Sequence, residues 1–333
     1  SNKSSFLRFL QQQYHQYFTT YFLLKLQRPK LKKRVILFLK GVGMGAADIV
    51  PGVSGGTIAL ITGIYEELIE SIRGIDFSLF KILFKDGIKE FWLKLNGNFL
   101  LTIYLGITAA VFSLANIISY LLENHEYKIW GLFFGLVLSS GVMIIKQVEN
   151  INNKNIFFLV MGVLIAGLIS FLSPASTPNT SLFIFLSGSI AITATILPGI
   201  SGSFILLLLS KYEFIINAIK NFDLQILFIF ASGCIVGLII FSRVLSYLFK
   251  NFKNEILSLL SGFLIGSLIK IWPFRNVLES RINSEGELEA VVTRPELPNL
   301  ENVDQILFFI IFTIAGYVLI NFLQKKSFED NKE

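Results

Sequence analysis

The stretch from Gly41 to Asp76 returns as Gly188 to Asp223, an unbroken offset of 147 residues (41 to 188). Pro51 falls on Pro198, Gly52 on Gly199, Ser54 on Ser201, Gly55 on Gly202, Tyr65 on Tyr212 and Glu66 on Glu213. The match resumes at an offset of 127 (106 to 233), with Gly106 on Gly233, Ser119-Tyr120 on Ser246-Tyr247, Asn124 on Asn251 and Gly135 on Gly262. The difference of 20 residues (147 − 127) is absorbed by a loop near 77–98 that the second half lacks. Chance likeness between apolar segments does not hold a register over such lengths. The chain is therefore two copies of one unit, and whatever fold one half takes, the other must also satisfy.

The solvent for that fold is lipid. Of 333 residues, 53% are hydrophobic and 16% charged, more apolar surface than a soluble domain of this size can hide. Six stretches, 99–122, 129–146, 156–173, 224–249, 256–272 and 305–323, approach the roughly 20 apolar residues that a bilayer core demands. Regions 35–70 and 182–219 are apolar too, but each is broken by Pro and Gly: Pro51-Gly52-Val53-Ser54-Gly55-Gly56 and Pro198-Gly199-Ile200-Ser201-Gly202. Proline ends a helix and glycine permits a reversal, so each region reads as two short helices joined by an irregular loop, a re-entrant hairpin.

Each half then holds one hairpin and three spans. Whether a hairpin counts as zero crossings or two, the total is odd, so the second half must insert upside down. Loop charges test this independently. Arg73, Lys81, Lys85, Lys89, Lys94, Lys154, Lys250, Lys253 and Lys325-Lys326 fall on the side of the basic N-terminal run Lys25, Arg28, Lys30, Lys32, Lys33, Arg34. The other side receives Glu123, Glu126, the uncharged 173–181 loop and the acidic 273–304 loop. The positive-inside rule puts both termini in the cytoplasm. The expected architecture is an all-α polytopic membrane protein of two inverted-topology repeats, 35–173 and 182–324, in the bacterial cytoplasmic membrane. An interfacial amphipathic and basic segment over 1–34 precedes them, with Phe6, Phe9, Leu10, Tyr14, Tyr17, Phe18, Tyr21 and Phe22 near helical spacing. It holds no compact apolar core with a cleavage site, so no signal peptide is read there.

The composition excludes several chemistries. A single cysteine, Cys234, allows no intrachain disulfide, and His15 and His125 lie outside the spans. Neither a metal site nor a catalytic base is read in the membrane, although Gly52-Val53-Ser54-Gly55 resembles a serine-protease motif: that activity needs a membrane-embedded His. The net charge of +6 gathers beside the membrane, not on a nucleic-acid face.

The broken hairpins carry the chemistry instead. Their second half-helices begin at Ser54-Gly55-Gly56-Thr57 and Ser201-Gly202-Ser203. Helix N-termini present unpaired N–H groups and the positive end of a dipole, which suit anions, above all phosphate. Plain Gly-Pro turns capped by serine are the alternative for either one alone. Arg243, inside span 224–249, can grip a phosphate bidentately or snorkel to the nearby interface, and its repeat partner is the polar Asn116. Asp48, Glu66 and Glu213 are candidates for coupling to a proton or sodium ion, or for pairing with Arg243 and Lys211. Gly131/Gly135 and Gly262/Gly266 read as helix-packing notches.

The run from Gly43 to Thr57, Gly-Met-Gly-Ala-Ala-Asp-Ile-Val-Pro-Gly-Val-Ser-Gly-Gly-Thr, followed by Gly63-Ile64-Tyr65-Glu66-Glu67, resembles the signature of the PopT family. Ala194 to Ser203 resembles its second motif, and Phe241-Ser242-Arg243 with Leu245-Ser246-Tyr247 a third. The family is assigned as bacterial polyprenyl-phosphate transporters, and the resemblance spans about residues 35–325. It implies a non-enzymatic carrier without cofactor. Its substrate would be undecaprenyl phosphate, returned from the outer to the inner leaflet for cell-wall synthesis. A secondary transporter of a small soluble anion, using the same hairpins, is the first alternative; a membrane enzyme such as a lipid phosphatase is the second.

Overall fold

The computed structural model describes residues 31–50, 52–282 and 288–330, so most of the 1–34 segment lies outside the described residues. The first half runs through α1 (31–49), α2 (Gly55–Ile61), α3 (Tyr65–Arg73), α4 (Phe77–Lys85), α5 (Ile88–Lys94), α6 (Gly97–Asn124), α7 (Glu126–Ile145) and α8 (Asn153–Phe171). The second runs through α9 (Ser181–Ile196), α10 (Gly202–Leu208), α11 (Tyr212–Lys220), α12 (Leu224–Asn251), α13 (Lys253–Ser267) and α14 (Val303–Asp330). Among the described residues five helices (α6, α7, α8, α12 and the Val303–Phe322 part of α14) are long and apolar enough to cross a bilayer; α10 and α11, bent by 106°, bring the number to as many as six.

Three expectations need correction. The stretch 77–98 is not a bare loop: Asp76 accepts the Leu79 N–H at 3.0 Å and starts α4, and α5 follows. The span expected over 256–272 is helical only to Ser267, after which residues 268–271 turn. At about 1.5 Å per residue, that helix falls short of a hydrocarbon core roughly 30 Å thick. It does not need the length, because it packs on α7 and α8 with Leu257, Leu260 and Leu264 buried. Finally, the 273–304 loop is not irregular throughout, although the fold stays mostly helical. Between α13 and α14, β1 (Arg275–Ile282) and β2 (Leu288–Pro295) form an antiparallel pair from Arg275 opposite Pro295 to Ile282 opposite Leu288.

Close helix contacts are made at small residues, some crosswise between the halves and some within them. On α7, a Cβ at Gly131 or Gly135 would lie 2.6 Å from the Phe309 carbonyl or 2.0 Å from that of Thr313, both on α14. On α13, one at Gly262 or Gly266 would lie 2.2 Å from the Leu159 carbonyl or 2.5 Å from that of Val163, both on α8. Within the halves, Gly41 meets Ile103 of α6, and its register partner Gly188 meets Phe230 of α12. Apolar helices in lipid gain little from burial against each other, so backbone approach at such notches supplies much of their cohesion.

Candidate functional site

The two helix breaks meet inside the protein. At both, the Pro-Gly step leaves its glycine in the left-handed region, Gly52 at φ 84 and Gly199 at φ 80. Ser54 Oγ donates to the Thr195 carbonyl at 2.8 Å, and the Gly199 N–H donates to Thr57 Oγ1 at 3.1 Å. The Tyr65 hydroxyl donates to the Ile196 carbonyl at 3.2 Å, and a Cβ at Gly56 would stand 2.3 Å from that same oxygen. Ser54, Thr57, Tyr65 and Ser201 are all buried. The predicted residues Ser54 to Thr57 are thus gathered against the second break.

The donors at the two turns are not alike. In the first, Gly55 N–H is already held by Asp48 Oδ1 at 2.6 Å and Gly56 N–H by Ser54 Oγ at 3.1 Å. The chain's own carboxylate occupies the place expected for an anion. In the second, Ser201 caps α10 without a side-chain hydrogen bond, and its hydroxyl pairs with that of Ser203 at 2.8 Å. The register partner of Asp48 is Thr195, whose hydroxyl turns back to the Ala191 carbonyl at 3.0 Å and brings no charge.

Arg243 stands apart from this junction. It is exposed on α12 and lines a cavity of about 660 Å³ whose walls include Arg73, Lys94 and Lys250 and the acids Glu70 and Asp76, but no residue of either turn. Glu70 bridges the cavity's rim: it accepts from the Ser246 hydroxyl and pairs with Lys250 at 3.0 Å and Arg73 at 2.9 Å. The Ser78 hydroxyl and the Leu79 amide hold the Asp76 carboxyl below the usual carboxylate range, so it stays charged there. Lys250 and Arg73 share Glu70, and four basic side chains face two acidic ones. The cavity's lining is therefore positive on balance.

The remaining predicted residues are scattered. Asn116 is exposed on α6 and lines no part of the Arg243 cavity. Glu66 pairs with Lys253 at 2.9 Å, and Glu213 lies half-buried on α11. Lys211, wholly buried, donates to the Thr177 carbonyl at 2.7 Å and to Asn179 Oδ1 at 2.8 Å, tying the 173–181 loop to the bend between α10 and α11. Sequence reasoning missed Lys270. Its ammonium lies 3.9 Å from the centroid of Phe204 in α10, and its side chain packs on Gly52. A cation inside an expected span was the available signal.

Comparison with known proteins gives this arrangement its context. The family described as undecaprenyl phosphate translocase-like matches residues 44–289. The chain is 46% identical over 257 residues to the polyprenyl-phosphate transporter of Vibrio cholerae serotype O1, covering 77% of this chain and 83% of that protein. It is 36% identical over 256 residues to the polyprenyl-phosphate transporter of Staphylococcus aureus, covering 72% and 86%. No solved structure matches.

Proposed function

Because the chain belongs to the undecaprenyl phosphate translocase-like family, we propose that it is a flippase for undecaprenyl phosphate. It carries this polyprenyl phosphate from the outer to the inner leaflet of the bacterial cytoplasmic membrane, where the carrier lipid is reused in cell-wall synthesis. The chain is a multi-pass membrane protein whose relatives are named as transporters. On this reading its halves are inverted repeats, its broken helices are re-entrant hairpins, and both termini face the cytoplasm.

The observation that carries the reading is the meeting of the two broken helices through Ser54, Thr57, Thr195 and Gly199. Irregular backbone survives at membrane depth only inside protein or along a water-filled path. Two such breaks at matching places in two halves point to a transport site. A phosphate monoester carries about −1.5 to −2 charges and needs donors throughout its passage. The Ser201–Ser203 turn, uncapped by any side chain, receives the head, while its hydrocarbon tail stays in lipid. The Arg243 cavity, on the side expected to be cytoplasmic, draws it onward. Asp48 is the coupling group: a phosphate that claims the Gly55 N–H must displace this carboxylate, which then takes a proton or a sodium ion.

Transbilayer movement of a labelled polyprenyl phosphate in proteoliposomes tests the proposal. Charge-assisted hydrogen bonds contribute about 1.5–3 kcal/mol each, so Arg243→Ala lowers the rate roughly tenfold or more. Ser54→Ala with Ser201→Ala lowers it further. Folded wild-type protein that moves inorganic phosphate but no lipid sinks the proposal in favour of a soluble-anion carrier.

A further inference from the structure

Several basic side chains in this protein are neutralised by carboxylates: Arg73 and Lys250 share Glu70, Lys253 holds Glu66, and Lys154 holds Glu255 at 2.6 Å. Lys270 and Arg275 are placed otherwise. Among the described residues no carboxylate lies within ion-pairing distance of either. Arg275 spends its donors on neutral oxygens, those of Trp272, Thr293 and Ile269, the last being the residue before Lys270. Because Arg275 holds the Ile269 carbonyl, its charge lies beside the backbone that carries Lys270. Like charges held together beside partly buried backbone are costly unless something negative joins them.

Their position is specific. Lys253 and Glu66 mark one end of α13; Lys270 follows its other end, about 22 Å of helix away. There Trp272 packs against Phe274 and Phe309 with ring centroids 5.4 and 5.3 Å apart, the aromatic setting of a membrane–water interface. A lysine that only needed water would extend outward. Lys270 instead lies over the Phe204 ring and against Gly52, between the two helix breaks.

We propose that Lys270 and Arg275 form an anion-receiving station on the face opposite the Arg243 cavity, taking the phosphate monoester head before it reaches the junction of the breaks. This rests on the lipid-phosphate reading above. Lys270 is the contact to the phosphate, and Arg275, already tied to three oxygens, adds field.

The test begins with the unaltered protein in liposomes. Amine acylation of Lys270 is followed by mass spectrometry with a short-chain polyprenyl phosphate, the matching polyprenol, or inorganic phosphate. Protection by the lipid phosphate and none by the alcohol is the expected result. Equal protection by inorganic phosphate upholds the station and assigns it to the free anion; equal protection by the alcohol overturns it. In flipping assays with lipid supplied to one leaflet at a time, Lys270→Gln raises the half-saturating lipid level at least about tenfold from the outer leaflet and leaves the inner value within about twofold, the scale of one charge-assisted contact. Lys270→Arg restores most of the loss. If Lys270→Gln behaves as wild type while Arg243→Ala fails, the station is wrong and the transporter reading stands. If wild-type protein moves no lipid, that reading falls, and protection by inorganic phosphate alone decides whether an anion site remains.

Discussion

The α3–α12 contact and the α11–α6 pair occupy matching places in the two sequence repeats, yet they are in different states. On the first side α3 packs along α12: Ser246 is 2% exposed under Glu70, the tilted rings of Tyr65 and Phe249 lie 5.7 Å apart, and Glu66 and Glu70 hold Lys253 and Lys250. On the second, α11 makes no comparable packing on α6. Ser119, the register partner of Ser246, is exposed, and Ile219 is 51% exposed where its partner Ile72 is 9%. Matching repeat positions in unequal settings are what a two-state carrier requires, since one gate must open when the other shuts. On the proposed reading the shut gate is cytoplasmic and the open one faces outward, the state that accepts an outer-leaflet lipid.

Cross-linking breaks or upholds this comparison with the largest effect. With Cys234 replaced by Ser, cysteines at Glu70 and Ser246, whose side chains meet across α3 and α12, form a disulfide readily. Transport then stops until reductant is added. The partner pair, Asn217→Cys with Ser119→Cys, cross-links far less in the resting protein and gains on adding a polyprenyl phosphate. Equal cross-linking of both pairs at rest would show that the asymmetry is not a property of the protein in a membrane.

The scaffold, by contrast, treats the halves alike, which the next prediction uses. A Cβ at Gly135 would sit 2.0 Å from the Thr313 carbonyl, and one at Gly262 would sit 2.2 Å from that of Leu159. Neither backbone can yield cheaply. Gly135→Ala and Gly262→Ala therefore each destabilise by about 1–3 kcal/mol, with similar drops in thermal midpoint in detergent. A large loss at one site and none at the other would mean that the crosswise pairs, α7 with α14 and α8 with α13, are not equivalent supports.

A smaller effect falls on the gate itself. Glu66–Lys253 and Glu70–Lys250 are exposed ion pairs, each worth about 0.2–1 kcal/mol. Glu66→Gln with Glu70→Gln therefore shifts the balance of gates by roughly thirtyfold at most. Impermeant maleimide labelling of Ser119→Cys should slow in that background, as α11 closes over it. Unchanged labelling would place the hold on α3 in the Tyr65–Phe249 packing rather than in charge.

Much of this was legible in the chain because repeats and polarity follow simple rules. The register of Gly52 on Gly199 foretold two matching breaks, and at both the glycine takes a left-handed conformation. Span positions followed from hydropathy, to within a few residues for α6, α7, α8 and α12. What the pattern could not give was who satisfies whom. Asp48 reads as a titratable residue in a span; only the fold reveals that it already holds the Gly55 N–H. Arg243 reads as a partner for the turns, but its helix carries it to a separate cavity with Arg73 and Lys250. Lys270 escaped notice because α13 ends early, at Ser267, and a short buried helix looks in sequence like the inner part of a span.

The smallest expected effect lies at the ends of the two crosswise pairs, where the repeats have exchanged their chemistry. At the base of α13, Glu255 pairs with Lys154 of α8, and Lys154 also stands 5.5 Å from the Phe252 ring centroid. The register partner of Glu255 is Lys128 on α7, which lies 4.6 Å from the Phe308 ring centroid on α14. One end is tied by a salt bridge and a ring, the other by a ring. Lys154 holds the Glu255 carboxyl below its ordinary value of 4.5, so the bridge contributes fully above that pH and is lost as pH falls through the lower, folded value. An exposed bridge contributes under about 1 kcal/mol. The stability difference between wild type and Lys154→Ala should thus shrink on acidification from neutral pH, leaving only what the Phe252 ring supplies. The difference caused by Lys128→Ala should stay flat over the same range, because a ring does not titrate. If the Lys154 difference is flat as well, the aromatic contact, not the ion pair, is what joins α8 to α13 at that end.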